Sequence, residues 1–168
     1  SAQLANLVVH LDWNQASIDS NRVCREGALP GDYVQWDPRE LFYLHDWNVI
    51  DVPGGHDLRQ VLAAQRRALA LASGQPTAIV YHTTKGWRYG VEGKASHGAG
   101  HALCSEGFYA ALAELARATG AEVAWPSCDP QDKACAGPDG QAVRERCFWT
   151  ALEAVRAQLH QDRPLAAA

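Results

Sequence analysis

The sequence has no methionine, only three phenylalanines and no apolar stretch long enough to cross a bilayer. Charge is also sparse, because charged residues make up 20% of the 168 residues and the formal net charge is −4. This mild acidity gives no electrostatic basis for binding nucleic acid or an anionic membrane. Apolar residues reach 47%, so we expect a folded soluble domain rather than a disordered chain.

The five cysteines form neither a disulfide framework nor a C-x-x-C pair. Cys128 and Cys135 flank a polar loop, but no second Cys or His pair lies at a distance that would complete a zinc site. His97 and His101 have a spacing that can bind metal on a helix, but the glycines between them argue against a helix. We therefore favour free thiols in a cytoplasmic protein over a structural zinc.

Three short apolar runs rich in β-branched residues predict buried parallel strands, at 7–11, 48–52 and 77–81. Helical periodicity predicts helices at 57–72, 105–119 and 141–159, with a shorter helical pattern at 38–46. Strand, helix and strand between 48 and 81 form a βαβ unit. The expected fold is a three-layer α/β structure with a parallel sheet, incomplete at its N-terminal side, plus a C-terminal helix.

Composition also divides the chain. Residues 1–125 are expected to form an α/β body, 126–140 a linker rich in Pro, Asp, Gly and Cys, and 141–168 a peripheral helix and tail. Within the body, 14–37 is a long irregular segment, and such loops in compact domains usually serve function. Met is missing even at position 1, so we expect the chain to be a piece of a longer protein.

Two further expectations concern packing. Asp57 can cap the helix at 57–72, whose apolar stripe would comprise Leu58, Val61, Leu62 and Leu69. His10 lies within an apolar strand and is predicted to be a hydrogen-bonded histidine of the core.

Polar turns follow all three predicted strands, where ligands bind in parallel α/β sheets. Asn14 follows the first strand, and its amide oxygen with a nearby carbonyl suits a hard cation, although a simple Asx turn explains it too. His97 lies in a glycine-rich loop after the third strand and could approach a ligand, or be a surface histidine. The P-loop, the dinucleotide fingerprint and the nucleophile elbow are all missing.

A series of motifs in a fixed order resembles the diphosphate-binding domain of transketolase over residues 4–118. The motifs are Asn6-Leu7-Val8, Asp12-x-Asn14, Ile18-Asp19, Trp47-x-Val49-Ile50-x-Val52, Gly55-His56-Asp57, Pro76-Thr77-Ala78-Ile79, Thr84-Lys85-Gly86 and His97-Gly98.

The resemblance implies an enzyme that moves a two-carbon ketol unit between sugar phosphates with thiamine diphosphate and Mg²⁺ or Ca²⁺. It makes Asn14 a metal ligand and Ala16 a backbone-carbonyl ligand of the same ion. Ile18 would contact the cofactor ring, and His97 would be a catalytic, cofactor-binding hydrogen-bond donor. The partner would be a second copy, or a chain that carries the pyrimidine-binding domain.

Three features depart from the family. No Gly-Asp-Gly motif precedes Asn14, so the first metal ligand is missing, and Ser20 replaces a glycine. The pyrimidine-binding domain with its activating glutamate is absent as well. We therefore expect weak cofactor binding and no turnover from this chain alone, with Asn14 and His97 facing one cleft.

Two other interpretations stay open. The chain could be a non-catalytic α/β module for binding or assembly, derived from a thiamine-diphosphate enzyme. It could also be an unrelated metal- or phosphate-binding α/β domain, which a sheet without the βαβ order would favour.

Overall fold

The computed structural model describes residues 4–98, 105–120 and 138–161. Two compact units divide the chain, one of residues 1–87 with 91–98 and the other of 88–90 with 99–168. The first unit contains β1 (Val8–Trp13), α1 (Pro38–Leu44), β2 (Asn48–Val52), α2 (Leu58–Ala70), β3 (Thr77–His82) and a short 3₁₀ helix (Gly93–Ser96). The second contains α3 (Glu106–Thr119) and α4 (Gly140–Gln161).

The three strands form a parallel sheet in the order β1-β3-β2. Thr77 at the start of β3 lies opposite both Val8 and Asn48, so the three strands begin and end nearly level. The α/β fold and the parallel pairing of β2 with β3 are confirmed. Every strand and every long helix lies within two residues of its predicted bounds.

The central strand β3 provides the core of the first unit. Ala78, Ile79 and Val80 have no exposed surface. On one face of the sheet, Ile79 packs in a cluster with Ala64 and Ala68 of α2. On the other face, Val80 packs with Trp13 and Cys24, against Phe42 of α1. The layers are therefore α2, the sheet, and α1 with the segment around Cys24.

The predicted apolar stripe of α2 is wrong in three of its four members. Leu58 is 80% exposed, Leu69 81% and Leu62 47%. The buried face consists instead of Ala64 and Ala68, with Val61 packed beside them. Small alanine side chains let the helix lie close to the sheet, and the helical period then turns the three leucines outward.

His10 is hydrogen bonded as predicted, but it is not in the core. Its Nδ1 atom lies 2.8 Å from the Tyr81 hydroxyl, and the two rings stack at 5.8 Å between centroids. The side chain is exposed because β1 is an edge strand: His10 lies on the same face of the sheet as Ile79, but α2 packs on β2 and β3.

In the second unit, Ser105 caps α3 by accepting a hydrogen bond from the Phe108 backbone, and Gly120 ends the helix in a left-handed conformation. Cys147 of α4 is fully buried and packs with Tyr109 of α3. Most of the predicted linker at 126–140 lies outside the described residues, as do His101, Cys128 and Cys135. Within the described helices, none is both long and apolar enough to cross a membrane.

Candidate functional site

Asp12 joins the carboxyl ends of two neighbouring strands. Its carboxylate accepts a hydrogen bond from the Thr83 hydroxyl, just after β3, and another from Asn14 Nδ2 at 3.1 Å, just after β1. These bonds hold the loops that follow β1 and β3 together at one edge of the sheet. In parallel α/β sheets this is the edge where ligands bind.

Asn14 forms the Asx turn that was one of its two interpretations. Its Oδ1 atom accepts a hydrogen bond from the Ala16 backbone at 2.9 Å. An amide oxygen has two lone pairs, so this bond leaves capacity for a cation. The metal-binding role of Asn14 and of the Ala16 carbonyl stays a prediction. Within the described ranges, His, Cys, Asp and Glu form no metal-binding group of three.

The loop after β1 is held by its own polar side chains. Gln15 contacts the Cys24 backbone twice, at 2.8 Å to the nitrogen and 3.1 Å to the oxygen. Ser20 is buried, and its hydroxyl donates to Asp32 at 2.6 Å. Ser20 therefore stabilises the turn at the position where the family has glycine. Ile18 is 70% exposed, and its contact with a cofactor ring stays a prediction.

Lys94 connects this loop to the segment that carries His97. The Lys94 backbone donates to Asn21 Oδ1 at 2.6 Å, and its Nζ atom donates to the Asp19 carbonyl at 3.2 Å. The Tyr33 hydroxyl donates to the Asp19 carboxylate, and this hydrogen bond holds the pKa of Asp19 below its ordinary value. The carboxylate stays ionised and keeps its contacts with the loop.

His97 lies beside a lysine. Its Nδ1 atom is 3.1 Å from Lys85 Nζ, and Lys85 follows β3 by three residues. Asn14 and His97 thus belong to loops that leave the same edge of the sheet. That both side chains face one cleft stays a prediction.

His56 holds the turn before Lys85. Its Nε2 atom accepts a hydrogen bond from the Thr84 backbone at 2.7 Å. Its ring stacks on the Trp87 indole, with 4.2 Å between the centroids and 10° between the planes. Sequence reasoning did not assign Asp12, His56 or Lys85 to the site. Two signals pointed to them, their place in the turns after the strands and their place in the motifs Asp12-x-Asn14, Gly55-His56-Asp57 and Thr84-Lys85-Gly86.

A charged cluster lies at the end of β2. Asp51 accepts from His82 Nε2 at 2.7 Å and from an Arg39 guanidinium nitrogen at 3.1 Å. Arg39 also lies over the Trp13 ring, 5.0 Å from its centroid, and donates to Asp37. These contacts connect α1 to all three strands near the carboxyl edge of the sheet.

A cavity of about 260 Å³ opens beside the end of β1. Both predicted metal ligands, Asn14 and Ala16, line it together with Asp12, whereas Ile18 and His97 do not. Most of the other lining residues are apolar: Leu11, Trp13, Val23, Trp36, Pro38, Leu41 and Phe42.

The first unit is thus an α/β domain with oxygen-bearing groups at the end of one parallel strand and basic groups at the end of the next. The carboxyl ends of parallel strands are where α/β sheets bind ligands. The family model for "Transketolase, thiamine diphosphate binding domain" matches residues 1–119, so the chain belongs to this family. No curated protein matches the chain.

Proposed function

We propose that the first unit binds thiamine diphosphate together with Mg²⁺ or Ca²⁺ at the carboxyl edge of its sheet. The observation that supports this most is the complementarity of two neighbouring strand ends. Oxygen atoms of Asn14 and Ala16 follow β1, whereas the basic side chains of Lys85 and His97 belong to the loop after β3. A diphosphate bound with a metal ion needs two kinds of partner. Oxygen atoms bind the cation, and N–H groups donate hydrogen bonds to the phosphate oxygens.

The oxygen atoms of Asn14 and Ala16 are of the type that hard cations bind. Mg²⁺ takes near-octahedral oxygen coordination and usually keeps several waters and phosphate oxygens. Asn14 and the Ala16 carbonyl would supply two neutral oxygens, and the nearest carboxylate, Asp12, already accepts from Asn14 and Thr83. We therefore expect the cation to bind weakly alone and to depend on the diphosphate for its remaining ligands.

The exposed Ile18 offers an apolar surface that the cofactor ring would cover on binding. His97 would donate an N–H hydrogen bond to a phosphate oxygen or to an oxyanion of the substrate. Lys85, beside it, would add a positive charge to the same anion.

The reaction that these groups would serve is the transfer of a two-carbon ketol unit between sugar phosphates. Bound thiamine diphosphate supplies the chemistry that breaks and forms the carbon–carbon bond. The chain would hold the cofactor and orient phosphorylated substrates. A second polypeptide surface, from another copy or from a chain with the pyrimidine-binding domain, would complete the site. We expect the cytoplasm as the location and no turnover from the chain alone.

The test is a titration of the ¹⁵N-labelled chain with thiamine diphosphate, with and without Mg²⁺, followed by NMR. We expect saturable, Mg²⁺-dependent shifts in the backbone signals of residues 14–18 and 84–97. The Asn14→Ala variant should lose the Mg²⁺ dependence. Asn6→Ala is the matched control, because it removes the same amide group before β1, at the opposite edge.

Shifts confined to other parts of the chain would overturn the proposed site, as would equal losses in the Asn6 and Asn14 variants. A chain that folds but gives no saturable shifts would favour the non-catalytic module instead.

A further inference from the structure

The contact between Lys85 and His97 determines which nitrogen of the histidine can carry a proton. Lys85 Nζ lies 3.1 Å from His97 Nδ1. An ammonium group has three donors and no acceptor, so Nδ1 must be the acceptor. In the neutral ring the proton is then on Nε2. We propose that Lys85 is a positioning residue that fixes His97 in the Nε2–H tautomer and so makes Nε2 its hydrogen-bond donor.

The backbone supports this contact independently of the two side chains. The Lys85 carbonyl accepts a hydrogen bond from the Gly93 backbone at 2.9 Å. Gly93 begins the 3₁₀ helix, and His97 follows that helix and donates its backbone N–H to the Lys94 carbonyl at 3.0 Å. Lys85 therefore contacts the segment that carries His97 through its main chain as well as through its ammonium.

The turn between β3 and Lys85 gives the opposite tautomer to a second histidine. The Thr84 backbone N–H can only donate, so His56 Nε2, at 2.7 Å, must accept. Neutral His56 thus carries its proton on Nδ1. Consecutive residues of one turn hold two histidines in different tautomers, and His56 can serve as an internal reference in the same spectrum.

The consequence for binding rests on the proposed function. With Nε2–H fixed, His97 would present a donor to a phosphate oxygen and Lys85 would add a positive charge. In the other tautomer, the Nε2 lone pair would meet an oxygen that can only accept. Lys85 would then stabilise the bound anion in two ways. Its own charge would attract the anion, and its contact with Nδ1 would keep the donor proton of His97 on Nε2.

The first experiment measures the tautomers in the folded 168-residue chain without ligand. Two-bond ¹H–¹⁵N spectra of histidine-labelled protein, recorded where both rings are neutral, should show His97 protonated at Nε2 and His56 at Nδ1. Lys85→Met should convert His97 to a mixture of tautomers, whereas Lys85→Arg should restore the single form. Lys94→Met is the matched control, because it removes an equal charge from a lysine whose ammonium contacts the Asp19 carbonyl, while its backbone bond to His97 is kept.

An unchanged His97 tautomer in a folded Lys85→Met variant would overturn the proposal, and so would an equal change in Lys94→Met. His56 should keep its Nδ1–H form in all three variants. If Lys85→Met fails to fold, Lys85→Gln gives the second test. Its amide is neutral and can donate or accept, so His97 should again become a mixture, and a single Nε2–H form would contradict us.

A second experiment separates this proposal from the proposed function. Inorganic diphosphate with Mg²⁺ is the probe, and we expect Lys85→Met to bind it about tenfold more weakly than Lys94→Met, as the loss of a charge-assisted hydrogen bond predicts. If no form of the chain binds the probe but the tautomer responds to Lys85, the positioning role stands and the proposed function fails. If the wild-type chain binds the probe but the His97 tautomer is the same with and without Lys85, the proposed function stands and the positioning role fails.

Discussion

The carboxylate of Asp12 and the hydroxyl of Thr83 form a side-chain hydrogen bond across the ends of β1 and β3. Asp12 uses its other oxygen to accept from Asn14, so a single carboxylate sets the relative position of the two loops. A backbone hydrogen bond from Thr83 to the Trp13 carbonyl, at 3.4 Å, supports the same alignment just past the end of β3.

Removing this bond should loosen the edge without disturbing the core. Thr83→Val keeps the shape of the side chain but removes the donor to Asp12. We expect the free energy of unfolding to fall by about 1 kcal/mol, the usual net value of one hydrogen bond. Urea denaturation measures it. Thr84→Val is the control, because the Thr84 hydroxyl makes no hydrogen bond within the described part of the chain, and equal losses in both variants would contradict us.

The two contacts of His56 can be separated by one substitution. His56→Phe keeps an aromatic ring against Trp87 but removes the acceptor for the Thr84 backbone N–H. We expect the Thr84 amide to exchange with solvent several-fold faster, since about 1 kcal/mol of protection is lost. Hydrogen exchange followed by NMR measures this, and the amide of Ile79 in the core is the reference. Unchanged exchange at Thr84 would show that stacking alone holds the turn.

Gly55 and Gly54 are neighbours with different tolerance for a side chain. A Cβ at Gly55 would lie 2.4 Å from the His82 backbone oxygen, whereas one at Gly54 would meet only the flexible end of Gln60. Gly55→Ala should therefore lower the free energy of unfolding by about 2 kcal/mol, as forced overpacking does. Gly54→Ala is the control and should cost much less. Thermal unfolding of the pair decides, and equal costs would refute this reasoning.

Asp37 should make stability depend on acid pH. Burial alone would raise the pKa of Asp37, but the Arg39 guanidinium and the backbone N–H groups of α1 outweigh it and hold the pKa below its ordinary value. The folded chain thus keeps a carboxylate charged where the unfolded chain binds a proton. The stabilisation from the Asp37 carboxylate is fully present above the pKa that the group has in the unfolded chain, about 3.9. It is lost as the pH falls through the lower pKa of the group in the folded chain.

Substitutions at Asp37 test this. Asp37→Ala removes both the N-cap and the charge, and should cost about 2 kcal/mol at neutral pH. Asp37→Asn retains a capping oxygen but removes the charge together with the oxygen that accepts from the Arg39 guanidinium. Denaturation at a series of pH values should show the difference between wild type and Asp37→Asn shrinking toward pH 3. A difference independent of pH would show that Asp37 acts only as a cap.

Strand positions were predictable because buried parallel strands need continuous β-branched residues, and the three runs stand out from their polar surroundings. The face of α2 was not, because leucines recur at helical spacing on the side away from the sheet. The alanines at 64 and 68, less apolar than the leucines, lie against β3 with Val61 beside them. In α2 the most apolar residues are therefore not the buried ones, because close packing on the sheet requires small side chains.

The site was predictable only in part, for a similar reason. Asn14 and the turn at 83–86 were predictable because they directly follow parallel strands, and ligands bind beyond the carboxyl ends of such strands. The pairings of Asp12 with Thr83 and of His56 with Thr84 join residues from different loops, and Lys85 and His97 lie twelve residues apart in the segment after β3. No spacing along the chain encodes them, because they depend on how the loops fold back over the edge.

The bond between Ser20 and Asp32 has an evolutionary consequence. A glycine at position 20 would need no partner, but a buried serine hydroxyl does, and Asp32 accepts from it at 2.6 Å. Selection should therefore act on the two positions jointly. Among related sequences, serine at 20 should co-occur with an acidic or amide residue at 32, while sequences with glycine at 20 should vary freely there.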